Sequence, residues 1–134
     1  MRGGPPGDLY VVLRVEPHEI FERDGDDLLC EVPITFTLAA LGGEVEVPTL
    51  NGPAKIKVPA GTQPNTLFRL KNKGMRNVQG YGHGDLHVRV NVEVPTRLNH
   101  AQRAKLEEFS ELCNGKESPI IQGFLEKAKR LFKG

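Results

Sequence analysis

Three residues with metal-binding side chains stand at alternate positions in the sequence: His83, Asp85 and His87. Alternate residues of a strand face the same side of a sheet, so imidazole and carboxylate groups spaced in this way could bind a divalent metal ion. However, Gly7-Asp8 near the N-terminus repeats Gly84-Asp85 without a histidine beside it. The sequence therefore favours a turn that precedes a strand, with solvent-exposed histidines, and we expect no metal site.

Nucleophilic and phosphate-transfer chemistry have little support in the sequence. Cys30 and Cys113 have neither a CxxC spacing nor an evident basic activator, which predicts structural thiols in a reducing compartment. The glycines between Gly74 and Gly84 precede a strand pattern rather than a helix, so they predict a flexible connection and not a phosphate-binding loop. No nucleophile-elbow, zinc-protease or Walker sequence occurs. We expect a protein that is not an enzyme and a chain that needs no cofactor.

The composition limits the size and class of the protein. With 134 residues, of which 38% are hydrophobic and 26% charged, the chain suffices for one domain plus a helical appendage. Its net charge of +1 is not that of a dedicated nucleic-acid binder, and no apolar run is long enough to span a membrane. Acidic residues concentrate in 16–31 and basic residues in 55–76, two segments that could pair or be solvated separately. We expect a cytoplasmic protein that requires neither nucleic acid nor a membrane.

The spacing of the apolar residues changes near Pro95. Before this point they alternate in twos, as in strands, and after it they recur at helical spacing. Asn51-Gly52 predicts a hairpin turn, and Gly42-Gly43 predicts the end of a single helical turn. The predicted elements are strands at 9–16, 28–38, 44–47, 54–58, 66–71 and 86–94, one helical turn at 38–41, and helices that begin after Asn99 and near Pro119. The predicted fold class is mainly β, with a short internal helix, followed by C-terminal α-helices.

An internal repeat predicts the domain boundaries. Residues 7–16 align with residues 84–93 and share a Gly, an Asp, a Leu, two Val and a Glu. On this basis we predict three parts. They are the closing strand and linker of a preceding, truncated β-domain (1–16), a complete β-domain (17–96) and a helical segment (97–134). The alternative is chance similarity, because alternating Val-rich strands resemble one another.

A series of short sequences occurs at specific spacings along essentially the whole chain. It comprises Gly7-Asp8-Leu9-Tyr10-Val11, Phe21-Glu22-Arg23-Asp24-Gly25, Glu31-Val32-Pro33-Ile34, Ala39-Ala40-Leu41-Gly42-Gly43, Val58-Pro59-Ala60-Gly61-Thr62 and Phe68-Arg69-Leu70-Lys71. Together these sequences closely resemble the C-terminal region of bacterial DnaJ co-chaperones. The resemblance implies two similar β-sandwich-like substrate-binding domains and a dimerisation segment, of which this chain matches the last strand of the first, all of the second, and the dimerisation helices. The J-domain, the Gly/Phe linker and the zinc-binding CxxCxGxG repeats of the family are absent from this sequence.

The resemblance also implies a function and a set of partners. A segment of this kind binds or holds unfolded polypeptides, forms a homodimer and, in the full-length protein, assists folding with a DnaK-type chaperone. The positions that match the family's client groove are Cys30, Val32, Val47 and Val88, and all four also fit a plain core, which is the favoured interpretation. The alternative function is a purely structural dimerisation or spacer module without client affinity.

The two C-terminal helices supply the dimerisation candidates. Each carries an apolar stripe, and the stripe of the second helix is broad enough that it must pack on its own domain, on the other helix or on another subunit. The resemblance favours another subunit, while packing of one helix on the other within a chain is the alternative. The candidate residues are Leu106, Phe109, Leu112, Phe124, Leu125, Leu131 and Phe132.

Overall fold

The structure, a computed structural model, describes residues 19–80 and 82–133. The chain divides into two compact units, Met1–Pro95 and Thr96–Gly134. The predicted strand 9–16 lies outside the described residues, so the interpretation of 1–16 as a closing strand stays a prediction. The described elements are β1 (Phe21–Asp24), β2 (Asp27–Thr35), α1 (Phe36–Leu41), β3 (Gly43–Thr49), β4 (Gly52–Val58), β5 (Thr66–Leu70), β6 (Leu86–Glu93), α2 (His100–Leu112) and α3 (Pro119–Lys133).

The larger sheet has the strand order β1-β2-β6-β5. Its centre is a parallel pair, β2 with β6, in which Cys30 lies opposite Val88, while β1 and β5 are antiparallel to their neighbours. The alternation predicted for β2 and β6 is confirmed, because their even-numbered residues from Leu28 to Ile34 and from Leu86 to Val90 are buried. Pro33 lies beyond the end of β1, where β6 is the only partner of β2 among the described strands. A residue that lacks an N–H fits at such an edge.

The smaller sheet is the predicted hairpin, β3 paired with β4 across the Asn51-Gly52 turn. Val47, Ile56 and Val58 of this hairpin are buried in one cluster with the inward face of β2 and β6. The two sheets therefore enclose a single apolar core, and the expected sandwich-like, mainly β fold is confirmed. On the outer face of the hairpin, Glu44 of β3 lies opposite Lys57 of β4, so the two charges balance.

Helix α1 begins earlier than the sequence indicated. Strand β2 was expected to continue to residue 38, but the Thr35 side chain accepts a hydrogen bond from the Leu38 N–H at 3.1 Å and caps a helix that begins at Phe36. A threonine hydroxyl at this position satisfies one of the free N–H groups of the first turn. At the other end Gly42 adopts a φ of 84°, and an added Cβ would lie 2.8 Å from the Ala60 nitrogen. Only glycine fits this turn without displacing its neighbour.

The glycine-rich stretch between β5 and β6 is anchored in its described part. The Met75 N–H donates to the Asp26 carbonyl at 2.7 Å, and the Gly84 N–H donates to the Met75 carbonyl at 2.9 Å. A Cβ on Gly74 would lie 2.5 Å from the Asp26 carbonyl oxygen, and one on Gly84 would meet the same group. The expectation of a flexible connection is therefore corrected: these glycines permit close backbone approach to the β1–β2 turn.

The second unit contains the two predicted helices. Asn99 is the N-cap of α2, and a reciprocal pair of hydrogen bonds with Gln102 forms a capping box. Helix α2 ends before Asn114-Gly115, as predicted, and α3 begins at Pro119. Neither helix has a buried residue. No helix in the described part of the chain is both long and apolar enough to cross a membrane.

Candidate functional site

The four groove candidates all lie in the core of the first unit. Val88 is fully buried, Cys30 and Val47 are each 1% exposed, and Val32 is 9% exposed. Cys30 and Val88 are neighbours in the parallel pair, and Val47 faces them from the hairpin. Burial raises the pKa of the Cys30 thiol, which keeps it protonated and unreactive.

This burial supports the packing alternative for the four residues. A client could contact their side chains only if the two sheets moved apart, because apolar neighbours already fill the space between them. Their assignment to a client groove stays a prediction.

An accessible cleft lies on the opposite, outer face of the larger sheet. It has a volume of about 280 Å³, and Leu29 and Leu67 supply apolar side chains to its lining. Leu67 on β5 is 56% exposed, whereas Leu29 on β2 is partly buried. The remaining lining residues are Glu22, Arg23, Asp24, Asp27, Leu28, His87 and Arg89. The cleft thus combines an apolar floor with charged groups of both signs.

Sequence reasoning overlooked this cleft although a signal was present. Leu29 occupies an odd position in β2, on the face that otherwise carries Glu31, Pro33 and Thr35. Leu67 has the equivalent place on β5, opposite Arg89 of β6. An apolar residue on the polar face of a strand is the pattern that marks an exposed contact.

The charged groups of the cleft are held by specific partners. Asp27 accepts a hydrogen bond from the Asp85 N–H at 2.8 Å and lies 3.1 Å from His87 Nε2. The backbone hydrogen bond, and then the bond with His87, hold the pKa of the Asp27 carboxyl below its ordinary value. Arg89 lies 3.5 Å from Glu31 across the β2–β6 pair. Asp27, His87 and Arg89 therefore each have a partner at the rim of the cleft.

The three alternate residues considered for metal binding have other roles. His87 faces Asp27, Asp85 forms an ion pair with Arg69 at 2.8 Å, and the backbone of His83 forms an isolated β-bridge with that of Arg76. Within 19–80 and 82–133 no group of three His, Cys, Asp or Glu side chains could hold a metal ion.

The acidic and basic segments meet through their backbones, because the Met75 N–H donates to the Asp26 carbonyl at 2.7 Å. No ion pair among the described residues joins 16–31 to 55–76; Arg69 pairs with Asp85, and Glu31 pairs with Arg89. After the backbone hydrogen bond from Asp85 and the bond with His87, the charge of Arg69 also helps to lower the pKa of Asp27, so the two segments interact without a direct ion pair.

Strand β5 presents a sheet edge next to the cleft. It is the last strand of the sheet and pairs only with β6 among the described strands. Alternate N–H and C=O groups of an edge strand point away from the sheet and can pair with an extended chain. Leu67 lies on this strand, so the edge and the apolar floor of the cleft are adjacent.

The dimerisation candidates are exposed in the described structure, apart from Leu106, which is partly buried. On α3 their side chains form one continuous apolar face, which no described residue buries. Their exposed fractions are 56% for Phe109, 81% for Leu112, 68% for Phe124, 52% for Leu125, 76% for Leu131 and 86% for Phe132. An apolar face of this size on a terminal helix indicates an interaction surface.

Comparisons with known proteins agree with this architecture. The family model described as "DnaJ C terminal domain" matches residues 1–95, and that described as "Chaperone protein DnaJ C-terminal region" matches residues 101–134. The whole chain is 57% identical over 138 residues to a protein of Geobacillus sp. strain WCH70, of which it covers 36%, and 56% identical over 134 residues to one of Bacillus licheniformis, of which it covers 36%. Both relatives are named chaperone protein DnaJ, a non-enzymatic family. The chain spans about a third of the length of these relatives and belongs to the DnaJ C-terminal domain family.

Proposed function

We propose that this chain is the part of a DnaJ co-chaperone that holds unfolded polypeptides and joins two copies of the protein. The observation that carries the proposal is the match to a chaperone family along the entire chain, at 57% identity to a relative with that name. In the full-length protein this segment would assist folding with a DnaK-type chaperone. No reaction chemistry and no cofactor is needed in this segment, and its two free cysteines are compatible with the reducing cytoplasm.

Client binding is assigned to the outer edge of β5 and the adjoining cleft. An extended polypeptide that adds to this edge gains backbone hydrogen bonds, which do not depend on its sequence. Its apolar side chains on the outer face would then lie beside Leu67 and reach toward Leu29. The core residues Cys30, Val32 and Val88 would support this surface from beneath, and would contact a client only if the sheets parted.

Dimerisation is assigned to the apolar face of α3, with α2 contributing its smaller stripe. The supporting observation is the exposure of Phe124 and Phe132, two large rings that are eight residues apart on the same helix face. Joining two copies would also join two client surfaces. Linked sites bind one long chain more tightly than either site alone, because the second contact becomes intramolecular.

The client surface can be tested with a fluorescent, extended, apolar peptide whose binding is followed by anisotropy. The Leu67→Asp variant removes the apolar contact, and the new carboxylate would lie opposite Arg89, where opposite charges are tolerated across strands. Losing the burial of one leucine corresponds to a Kd about tenfold to a hundredfold higher. The control is Val78→Asp, since Val78 is 91% exposed and lies outside the cleft.

Three outcomes are distinguishable. Weakened binding by Leu67→Asp, with Val78→Asp unchanged, supports the assignment. Peptide binding that is the same in both variants and the unmodified chain would refute the β5 surface. A stable dimer that binds no peptide at all would favour the purely structural dimerisation module, which the burial of Val47 and Val88 also fits.

A further inference from the structure

The connection between α2 and α3 contains an Asn-Gly pair, Asn114-Gly115. Asparagine followed by glycine is the pair best suited to succinimide formation, because the glycine nitrogen meets no side-chain obstruction as it approaches the asparagine side-chain carbon. Asn114 is exposed, and Gly115 has a φ of 96°. The chain contains a second such pair, Asn51-Gly52, which allows an internal comparison.

Hydrogen bonds around Asn114 bring a carboxylate to the Gly115 N–H and an N–H to the Asn114 side-chain carbonyl. The Lys116 N–H donates to Asn114 Oδ1 at 3.0 Å, so the side chain folds forward along the backbone and its carbonyl is polarised. The Gly115 N–H donates to Glu117 Oε2 at 2.9 Å, and the Asn114 N–H donates to Glu117 Oε1 at 3.1 Å. Hydrogen bonds from these backbone groups lower the pKa of the Glu117 carboxyl, so it is ionised at neutral pH. A nucleophile, a proton acceptor and an electrophile stabilised by an N–H therefore lie in one turn.

We propose that Asn114 is a site of self-promoted deamidation in which the Glu117 carboxylate acts as the general base. The Gly115 nitrogen forms a bond to Asn114 Cγ while its proton passes to Glu117. The bond from Cγ to Nδ2 then breaks, and the amide nitrogen leaves as ammonia with that proton. Water opens the resulting succinimide to aspartate or to an isoaspartyl linkage. The net change is the uptake of one water and the release of one ammonia, with no oxidant or reductant.

The second pair lacks this arrangement. The Asn51 N–H donates to Thr49 Oγ1 at 3.2 Å, and the Thr49 hydroxyl donates to the Gly52 carbonyl. Thr49 and Gly52 are paired in the β3–β4 ladder, which restrains the Gly52 backbone. No described carboxylate bonds to the Gly52 nitrogen. Two Asn-Gly pairs of equal intrinsic chemistry thus differ in their surroundings.

Deamidation would alter the turn that leads into α3. The new carboxylate would lie beside the ionised Glu117 and just after the C-terminal end of α2, where the helix dipole disfavours negative charge. An isoaspartyl linkage would also lengthen the backbone at this turn. Any effect of deamidation on dimer stability would depend on the function proposed for α3. The deamidation reaction itself does not depend on that function.

The test is peptide mapping by mass spectrometry of the purified chain during incubation at neutral pH, scoring the mass change from amide to acid at each site. Native protein is expected to convert Asn114 faster than Asn51, and unfolding in urea should abolish this difference. Glu117→Gln keeps a carbonyl that can accept the backbone N–H groups but cannot take the proton. It should slow conversion at Asn114 at least about fivefold, less than the hundredfold of a fully positioned general base.

A second variant separates chemistry from turn geometry. Asn114→Gln keeps an amide, but its longer side chain would require a six-membered imide, so conversion should fall below detection while Asn51 is unaffected. Equal or faster conversion at Asn114 in the Glu117→Gln variant, with unchanged helix content, would overturn the role of Glu117. Faster conversion at Asn51 than at Asn114 in the native chain would overturn the site. Neither readout depends on dimerisation or client binding.

Discussion

Replacing Phe124 and Phe132 together by serine should convert the proposed dimer into a monomer. The two residues are 68% and 86% exposed, which leaves about 300 Å² of aromatic surface per copy available to a second copy. If half of that area is buried in each of the two copies, about 300 Å² is buried in total, and the contribution to association is about 7.5 kcal/mol at about 25 cal/mol per Å². Even about 4 kcal/mol of this loss would raise the dimer Kd about a thousandfold, since 1.4 kcal/mol is tenfold.

Sedimentation velocity over a range of protein concentrations measures this change. The matched control replaces Gln122 and Arg130 by serine, because these residues have the same eight-residue spacing on the polar face of α3. The control should stay dimeric, and circular dichroism should show the same helix content in both variants. A dimer that is unchanged by the double phenylalanine replacement at micromolar concentration would refute the assignment of this face.

Three further changes test the packing and electrostatics of the first unit. Gly84→Ala should destabilise the fold by about 3 kcal/mol in urea unfolding, because its Cβ would meet the Asp26 carbonyl. Folding lowers the pKa of Asp27, so its stabilising contribution is present above the unfolded-state pKa and is lost as the pH falls through the folded-state pKa. Asp27→Asn should therefore make stability depend less steeply on pH in acid, as measured by melting temperature. A thiol reagent should label Cys113 in the native chain, and Cys30 only after unfolding, as counted by mass spectrometry.

The strands and helices could be predicted where a single periodicity governs a whole segment. In β6, each inward Val is separated by one polar residue, so the buried face follows from the sequence alone. The end of β2 could not be predicted in this way, because Phe36 and Leu38 continue the alternation while the Thr35 cap has already begun a helix. A local hydrogen bond here overrides the apolar pattern.

The candidate site was less predictable than the fold. Cys30 and Val88 match a family pattern, but a sequence pattern does not distinguish a side chain that lines a groove from one that fills a core. The apolar floor of the cleft depends on bringing Leu29 and Leu67 together from strands that are separated by β6 in the sheet. Such a juxtaposition requires the strand order, which the sequence does not state.

The anchored glycine-rich stretch before β6 could not be predicted from the local sequence either. Gly74 and Gly84 are compatible with a flexible connection when read locally. Their actual role depends on the backbone of Asp26, nearly fifty residues away from Gly74 in the sequence. Close backbone packing of this kind leaves no periodic signal, because glycine contributes no side chain to a pattern.

The proposed function depends most on the binding of extended polypeptide at β5. The most direct measurement is an NMR titration of the ¹⁵N-labelled chain with a short, apolar, extended peptide. Binding at β5 should concentrate amide shifts in Thr66–Leu70 and at Leu29, and Leu67→Asp should abolish these shifts. Unchanged amides at millimolar peptide, where even a binding energy of about −4 kcal/mol would be detected, would contradict it.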